Sequence, residues 1–281
     1  MKKVFSVLTV ILLVGLLAAC GGTKDAGSDG KKAEDSKTEK TELKFGATAG
    51  PYSDMISKAI KPLLEEKGYK IEVVEFSDYV QPNIALDNGS LDVNMFQHKI
   101  YLDNFVKEHN LELSDLITIP TVPIGLYSNK IKSIEEIQDG STIAIPNDPT
   151  NLARALLMLQ DADLITISDH VEPLKASEKD VKDNPKNIKF QPVEAAQLPR
   201  TLESVDLAAI NGNFALAAKM NLLDALVLEN IVPEYQNLIA VRTADLDAQF
   251  TKDIKEVVES PEFEEIIDKD FQGYSKPDWM K

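Results

Sequence analysis

From Leu43 onward the chain alternates short apolar runs with longer amphipathic segments. LKFGAT (43–48), IEVVEF (71–76), LDVNMFQH (91–98), TIAIP (142–146), IKFQPVE (188–194), DLAAIN (206–211) and NLIAVR (237–242) read as strands. Between the first two, Met55, Ile56, Ala59, Ile60, Leu63 and Leu64 recur at helical spacing, and Gly68 ends the segment. Pro62 lies inside it and argues against a straight helix. Pro82 to Leu86 predicts a short helix. Near the end, Phe250, Ile254, Val257 and Val258 share one helical face, and Ser260-Pro261 starts another helix with Phe263, Ile266 and Ile267 on its apolar side. The alternation predicts an α/β fold of mostly parallel sheets with helices on both faces. Ligands in such folds sit at the carboxyl ends of strands.

The amino terminus follows another pattern. Lys2 and Lys3 precede an apolar run from Val4 to Ala19, which ends Leu17-Ala18-Ala19-Cys20. A charged start, an apolar middle and small residues at the cut describe a signal peptide. The run falls short of the roughly 20 residues a membrane-spanning helix needs. Cys20 is the only cysteine, so no disulfide can form within the chain. Its place after the small residues predicts cleavage of 1–19 and acylation of Cys20, anchoring the protein to the outer face of a cell membrane. Residues 20–42 hold no large apolar side chain and read as a flexible tether.

The formal net charge is −16, which argues against nucleic acid as a partner and gives no polybasic contact with lipid. A hydrophobic content of 43% argues for a packed globule beyond the tether.

Three clusters could carry chemistry. In Asn94-Met95-Phe96-Gln97-His98, strand alternation puts Phe96 and His98 on one face. A helix starting after His98 would bring Tyr101 to them, and Tyr79 follows the preceding strand. This makes either a pocket wall or a core aromatic cluster. In Ile145-Pro146-Asn147-Asp148-Pro149-Thr150-Asn151, a strand ends and Asp148 or Thr150 can cap a helix that begins at Pro149. Arg154, three residues after Asn151, then shares its face. Arg can hold a carboxylate with two parallel bonds, and the amide can serve an ammonium or a carboxylate, which suits an amino-acid head group. The plain alternative is a capped helix with a surface Arg. Asn211 closes an apolar run and is followed by Gly212, which suits ligand contact or an ordinary turn. Asn237 is a fainter candidate of the same type.

Little supports catalysis. His98, His109 and His170 are widely separated and fit no metal-ligand spacing. The chain has no P-loop and no dinucleotide fingerprint. The expectation is no enzyme, no cofactor and no metal.

LKFGAT, EFSDYVQPN, LDVNMFQHKIYLDNF, IGLYS, DGSTIAIPNDPTNLARALLMLQ, DLAAINGNFA and YQNLIAVR occur in order and resemble the methionine-binding lipoprotein (NlpA/MetQ) family. The resemblance implies a two-lobed periplasmic-binding-protein-like fold (type 2) with two crossovers. Lobe 1 would comprise 43–126 plus 237–281, and lobe 2 would comprise 127–236. It implies a monomeric receptor that delivers L-methionine, a related amino acid or a short Met-containing peptide to an ABC permease and its ATPase. By motif, Tyr79, Phe96, His98 and Tyr101 would enclose the ligand side chain. Arg154 would hold the carboxylate, with Asn151 and Asn211 fixing the head group. Tyr52 stands where many members have His, and Thr121-Val122-Pro123 lacks the charge that many carry before the proline.

Overall fold

The computed structural model describes residues 40–281. The signal peptide at 1–19, Cys20 and the tether as far as residue 39 lie outside the described residues. The packed chain begins before the expected end of the tether. Lys40 pairs with Asp92, and the Thr41 carbonyl accepts from the Lys70 N–H at 2.7 Å.

In chain order the strands are β1 (Glu42–Thr48), β2 (Lys70–Phe76), β3 (Val93–His98), β4 (Leu113–Thr118), β5 (Gly125–Tyr127), β6 (Thr142–Pro146), β7 (Thr166–Ile167), β8 (Val181–Asp183), β9 (Lys189–Val193), β10 (Leu207–Ile210), β11 (Val227–Leu228) and β12 (Asn237–Arg242). The helices are α1 (Pro51–Met55), α2 (Lys61–Glu66), α3 (Gln81–Asp87), α4 (Lys99–His109), α5 (Pro149–Asp161), α6 (Leu198–Thr201), α7 (Gly212–Ala217), α8 (Gln249–Val258) and α9 (Pro261–Asp270). One sheet runs β2-β1-β3-β12-β4 and the other β11-β5-β10-β6-β9, while β7 and β8 pair on their own.

Both sheets are buried on both faces, which explains the unbroken apolar runs. In β12, Ile239 and Val241 join the core shared with α1, α8 and α9, whereas Leu238 and Ala240 pack on the opposite side with Leu86 and Leu102. In β10, Leu207 and Ala209 face the core under α5, and Ala208 and Ile210 face Leu198 and Phe214. Each fully buried Ile, Leu or Phe contributes about 1.5–3 kcal/mol. The helix over 55–64 is real but interrupted: a π-helical stretch spans Ile56–Ile60 between α1 and α2. Pro62 lacks an N–H and crowds the carbonyl four residues back, and the widened turn accommodates both. Ser260 caps α9 by accepting from the Phe263 N–H at 3.2 Å.

Two details correct the sequence reading. The sheets are mixed, not mostly parallel. β1 is parallel to β2 and β3, but β12 is antiparallel to β3 and β4. Likewise β6 is parallel to β9 and β10, but β5 is antiparallel to β10 and β11. The reversed strands are those by which the chain enters one lobe from the other, so they start at the end where their neighbours finish. The second correction concerns the expected boundary at 126. It falls inside β5, which hydrogen-bonds wholly within the second sheet, so the chain crosses before Gly125.

The two crossings touch. The Ile119 N–H donates to the Asn237 carbonyl at 2.8 Å, and the Asn237 N–H donates to Thr121 Oγ1 at 2.7 Å. The carboxy-terminal tail braces the first crossing through paired backbone bonds between Thr121 and Ser275, at 2.9 and 3.0 Å.

Candidate functional site

Strands β1 and β3 of one lobe, and β6 and β10 of the other, direct their carboxyl ends at a common cavity. All eight residues predicted for a site line it: Tyr79, Phe96, His98, Tyr101, Asn151, Arg154, Asn211 and Asn237. Tyr52, Gln97, Val122, Gly212 and Asn213 complete the wall.

The aromatic side is built where β3 passes into α4. His98 Nδ1 accepts from the Tyr101 N–H at 3.1 Å, so the imidazole caps α4. That bond leaves the ring proton on Nε2, which faces Asn151 Oδ1 at 3.4 Å. Burial, reinforced by the charge of Arg154, holds the His98 pKa well below the usual 6.5, so the ring is neutral. The Tyr101 hydroxyl donates to the Tyr79 carbonyl at 2.9 Å. The Tyr79 ring lies 5.8 Å from Phe96, 5.9 Å from Tyr101 and 4.9 Å from Phe214 of the second lobe. Burial drives the Tyr79 phenol well above its ordinary pKa and that of Tyr52 up to about 12, so both stay protonated. Beneath this wall lies a buried amide network. Asn83 and Gln97 exchange two bonds of 2.7 Å, and Asn94 Nδ2 donates to Asn83 Oδ1 at 2.8 Å. These bonds hold β3 against α3.

The polar side is built at the start of α5. Asp148 caps the helix by accepting from the Asn151 N–H at 2.9 Å, and it also receives Asn151 Nδ2 at 3.0 and 3.1 Å. With its amide nitrogen occupied, Asn151 presents Oδ1 to Asn211 Nδ2 at 2.8 Å. Asn211 Oδ1 is buried and has no hydrogen-bond partner among the described residues. A lone buried acceptor carries a desolvation cost that a ligand donor would remove. Asn237 Nδ2 donates to the Phe96 carbonyl at 3.0 Å, so this side chain ties β12 to β3 while lining the cavity.

Arg154 is not the surface residue of the plain alternative: it is buried and already holds a carboxylate of the chain itself. Its Nε donates to Glu229 Oε1 and its Nη2 to Glu229 Oε2, both at 2.6 Å. The side chains are only 5% and 6% exposed. Glu229 Oε2 also accepts from the Ile124 N–H at 2.9 Å, and the guanidinium lies over the Tyr235 ring at 5.3 Å. Burial opposes the charge on Arg154, but the Glu229 carboxylate outweighs it and lifts the pKa above its usual value. Glu229 takes one edge of the guanidinium, and Arg154 still borders the cavity with the rest.

Sequence reasoning missed Glu229, Tyr235 and Asn213. Asn213 Oδ1 accepts from the Tyr79 hydroxyl at 2.7 Å, and its Nδ2 donates to Thr48 Oγ1 at 3.2 Å, which links the two lobes across the cleft. Its only sequence signal was its place one residue beyond Asn211-Gly212. Among the described residues no cluster of His, Cys, Asp or Glu could hold a metal, and no helix is long and apolar enough to cross a membrane.

Known proteins place this geometry. The probable D-methionine-binding lipoprotein of Vibrio cholerae is 37% identical over 266 residues, covering 94% of this chain and 96% of that protein. A nutrient-binding protein from Burkholderia cenocepacia, solved bound to methionine, superposes with a TM-score of 0.78 at 43% identity, covering 82% of this chain and 97% of that one. A periplasmic substrate-binding protein of an ABC transporter from Coxiella burnetii superposes at 0.76 with 37% identity, covering 81% and 96%. The NlpA lipoprotein model matches residues 43–279, and the chain belongs to that family.

Proposed function

We propose that this protein is the substrate-binding lipoprotein of an ABC importer, and that it captures methionine in the cleft between its lobes. The observation that carries this is the division of one cavity into two chemistries. Aromatic rings form one side, and Arg154 with Asn151 and Asn211 forms the other. A thioether is polarisable and packs well on aromatic rings. The carboxylate would take the guanidinium edge that Glu229 leaves, and the ammonium would donate to Asn211 Oδ1. Tyr79, Phe96, His98 and Tyr101 then enclose the side chain, and Asn237 supports the wall.

The sequence resemblance points to the L-isomer. A second reading is D-methionine, for which the Vibrio cholerae relative is named. Calorimetry with both isomers, other amino acids and Met-containing dipeptides separates these readings. Tightest binding of L-methionine supports the first, and a non-methionine ligand overturns it.

The protein acts without chemistry on its ligand. Nδ1 of His98 is held by the Tyr101 N–H and Nε2 faces Asn151, so the imidazole has no free acceptor to serve as a base. Mass spectrometry of methionine after incubation should return it unaltered. The partners are an ABC permease and its ATPase, met by a monomeric receptor on a lipid anchor at Cys20. Cys20→Ala should release the protein from membranes, and its retention there would overturn the anchor.

A further inference from the structure

We propose that Glu229 sets the charge the cavity accepts, excluding ligands that carry a net negative charge. This rests on the reading of the site as an amino-acid cleft. Among the described residues Arg154 is the one charged side chain in the cavity wall, and Glu229, which does not line the cavity, neutralises it through both carboxylate oxygens. The surrounding titratable groups add no compensating cation. His98 is neutral, and the phenols of Tyr52, Tyr79, Tyr101 and Tyr235 keep their protons. Asp148, spent on Asn151 and Thr150, is a second negative charge beside the site.

A zwitterion leaves this balance unchanged. The same molecule with hydroxyl in place of ammonium brings one uncompensated negative charge into a buried site. Unbalanced charge away from water is costly, so this molecule should be rejected even though it keeps the side chain. Glu229 thereby acts through Arg154 as a positioning and charge-setting residue, not as a ligand contact.

The test measures L-methionine, its 2-hydroxy acid analogue and its methyl ester by calorimetry on the full chain, wild type against Glu229→Gln and Glu229→Asp. Wild type should prefer methionine to the hydroxy acid. Glu229→Gln leaves Arg154 unbalanced, so the hydroxy acid should gain on methionine by about tenfold or more. Glu229→Asp keeps the charge and should keep the wild-type ratio, even if every affinity drops. A role in packing alone would weaken all three ligands by one factor, and an unchanged ratio in a folded Glu229→Gln overturns the proposal. If wild type prefers another zwitterion, the functional reading falls, and the ratio is measured with that amino acid and its own hydroxy acid. No zwitterion binding at all overturns both.

Discussion

Arg154 and Glu229 meet edge to edge, with Nε on Oε1 and Nη2 on Oε2 at 2.6 Å, although they stand 75 positions apart. Removing one partner of a buried ion pair strands the other. Arg154→Ala should therefore destabilise the unliganded protein by about 3–5 kcal/mol, measured by urea unfolding. Replacing both residues with apolar ones, as in Arg154→Met with Glu229→Leu, should recover much of that loss while methionine binding stays abolished. Additive losses in the double variant would mean that the two residues are not energetically coupled.

Asn211 offers a buried carbonyl oxygen with no partner among the described residues. Asn211→Ala should cost about 1–3 kcal/mol of methionine binding, read by calorimetry. Its effect on the Tm of the unliganded protein should be small. An unchanged affinity would reduce Asn211 to a support for Asn151.

Burial and the neighbouring Arg154 hold the His98 pKa well below its unfolded value of 6.5. Below about pH 6.5 the unfolded chain therefore takes up a proton that the folded chain refuses. Stability should fall on acidification through this range, with a contribution from His98 of at most about 1.4 kcal/mol per pH unit. His98→Gln should flatten that slope between pH 7 and 5. A slope equal to wild type would show that His98 does not titrate differently in the two states.

Gly212 lies against the first crossing. A Cβ there would sit 2.2 Å from Val122 Cγ1 and 2.4 Å from the Pro123 carbonyl oxygen. The backbone oxygen cannot move aside cheaply, so Gly212→Ala should lower the Tm and weaken methionine binding together. Overpacking of this kind costs about 1–3 kcal/mol. A neutral substitution would show that the crossing yields more readily than its packing indicates.

The strands with apolar side chains on both faces were legible in the sequence, because two-sided burial leaves an unbroken run. TIAIP and NLIAVR emerge with the same bounds in the structure, as Thr142–Pro146 and Asn237–Arg242. β4 was not legible. It is an edge strand reading LSDLIT, with only Leu113 and Ile117 buried, so its pattern is weak. The three-residue β5 is too short to signal itself. In the cavity, Phe96, His98, Asn151 and Arg154 stood out because local spacing groups them. Glu229 carried no such mark. In a chain with 46 acidic residues one more acid is unremarkable, and its partner comes from a distant helix.

The contact between the two crossings has a mechanical consequence. Asn237 borders the cavity, begins β12 beside His98 and bonds Thr121 of the other crossing. If the halves close by turning about these crossings, the pivot shares this stretch of backbone with the proposed recognition surface. A bound molecule would press directly on such an axle, and its departure would loosen it without any relay. Loading would then be legible to the importer from the angle between the halves alone.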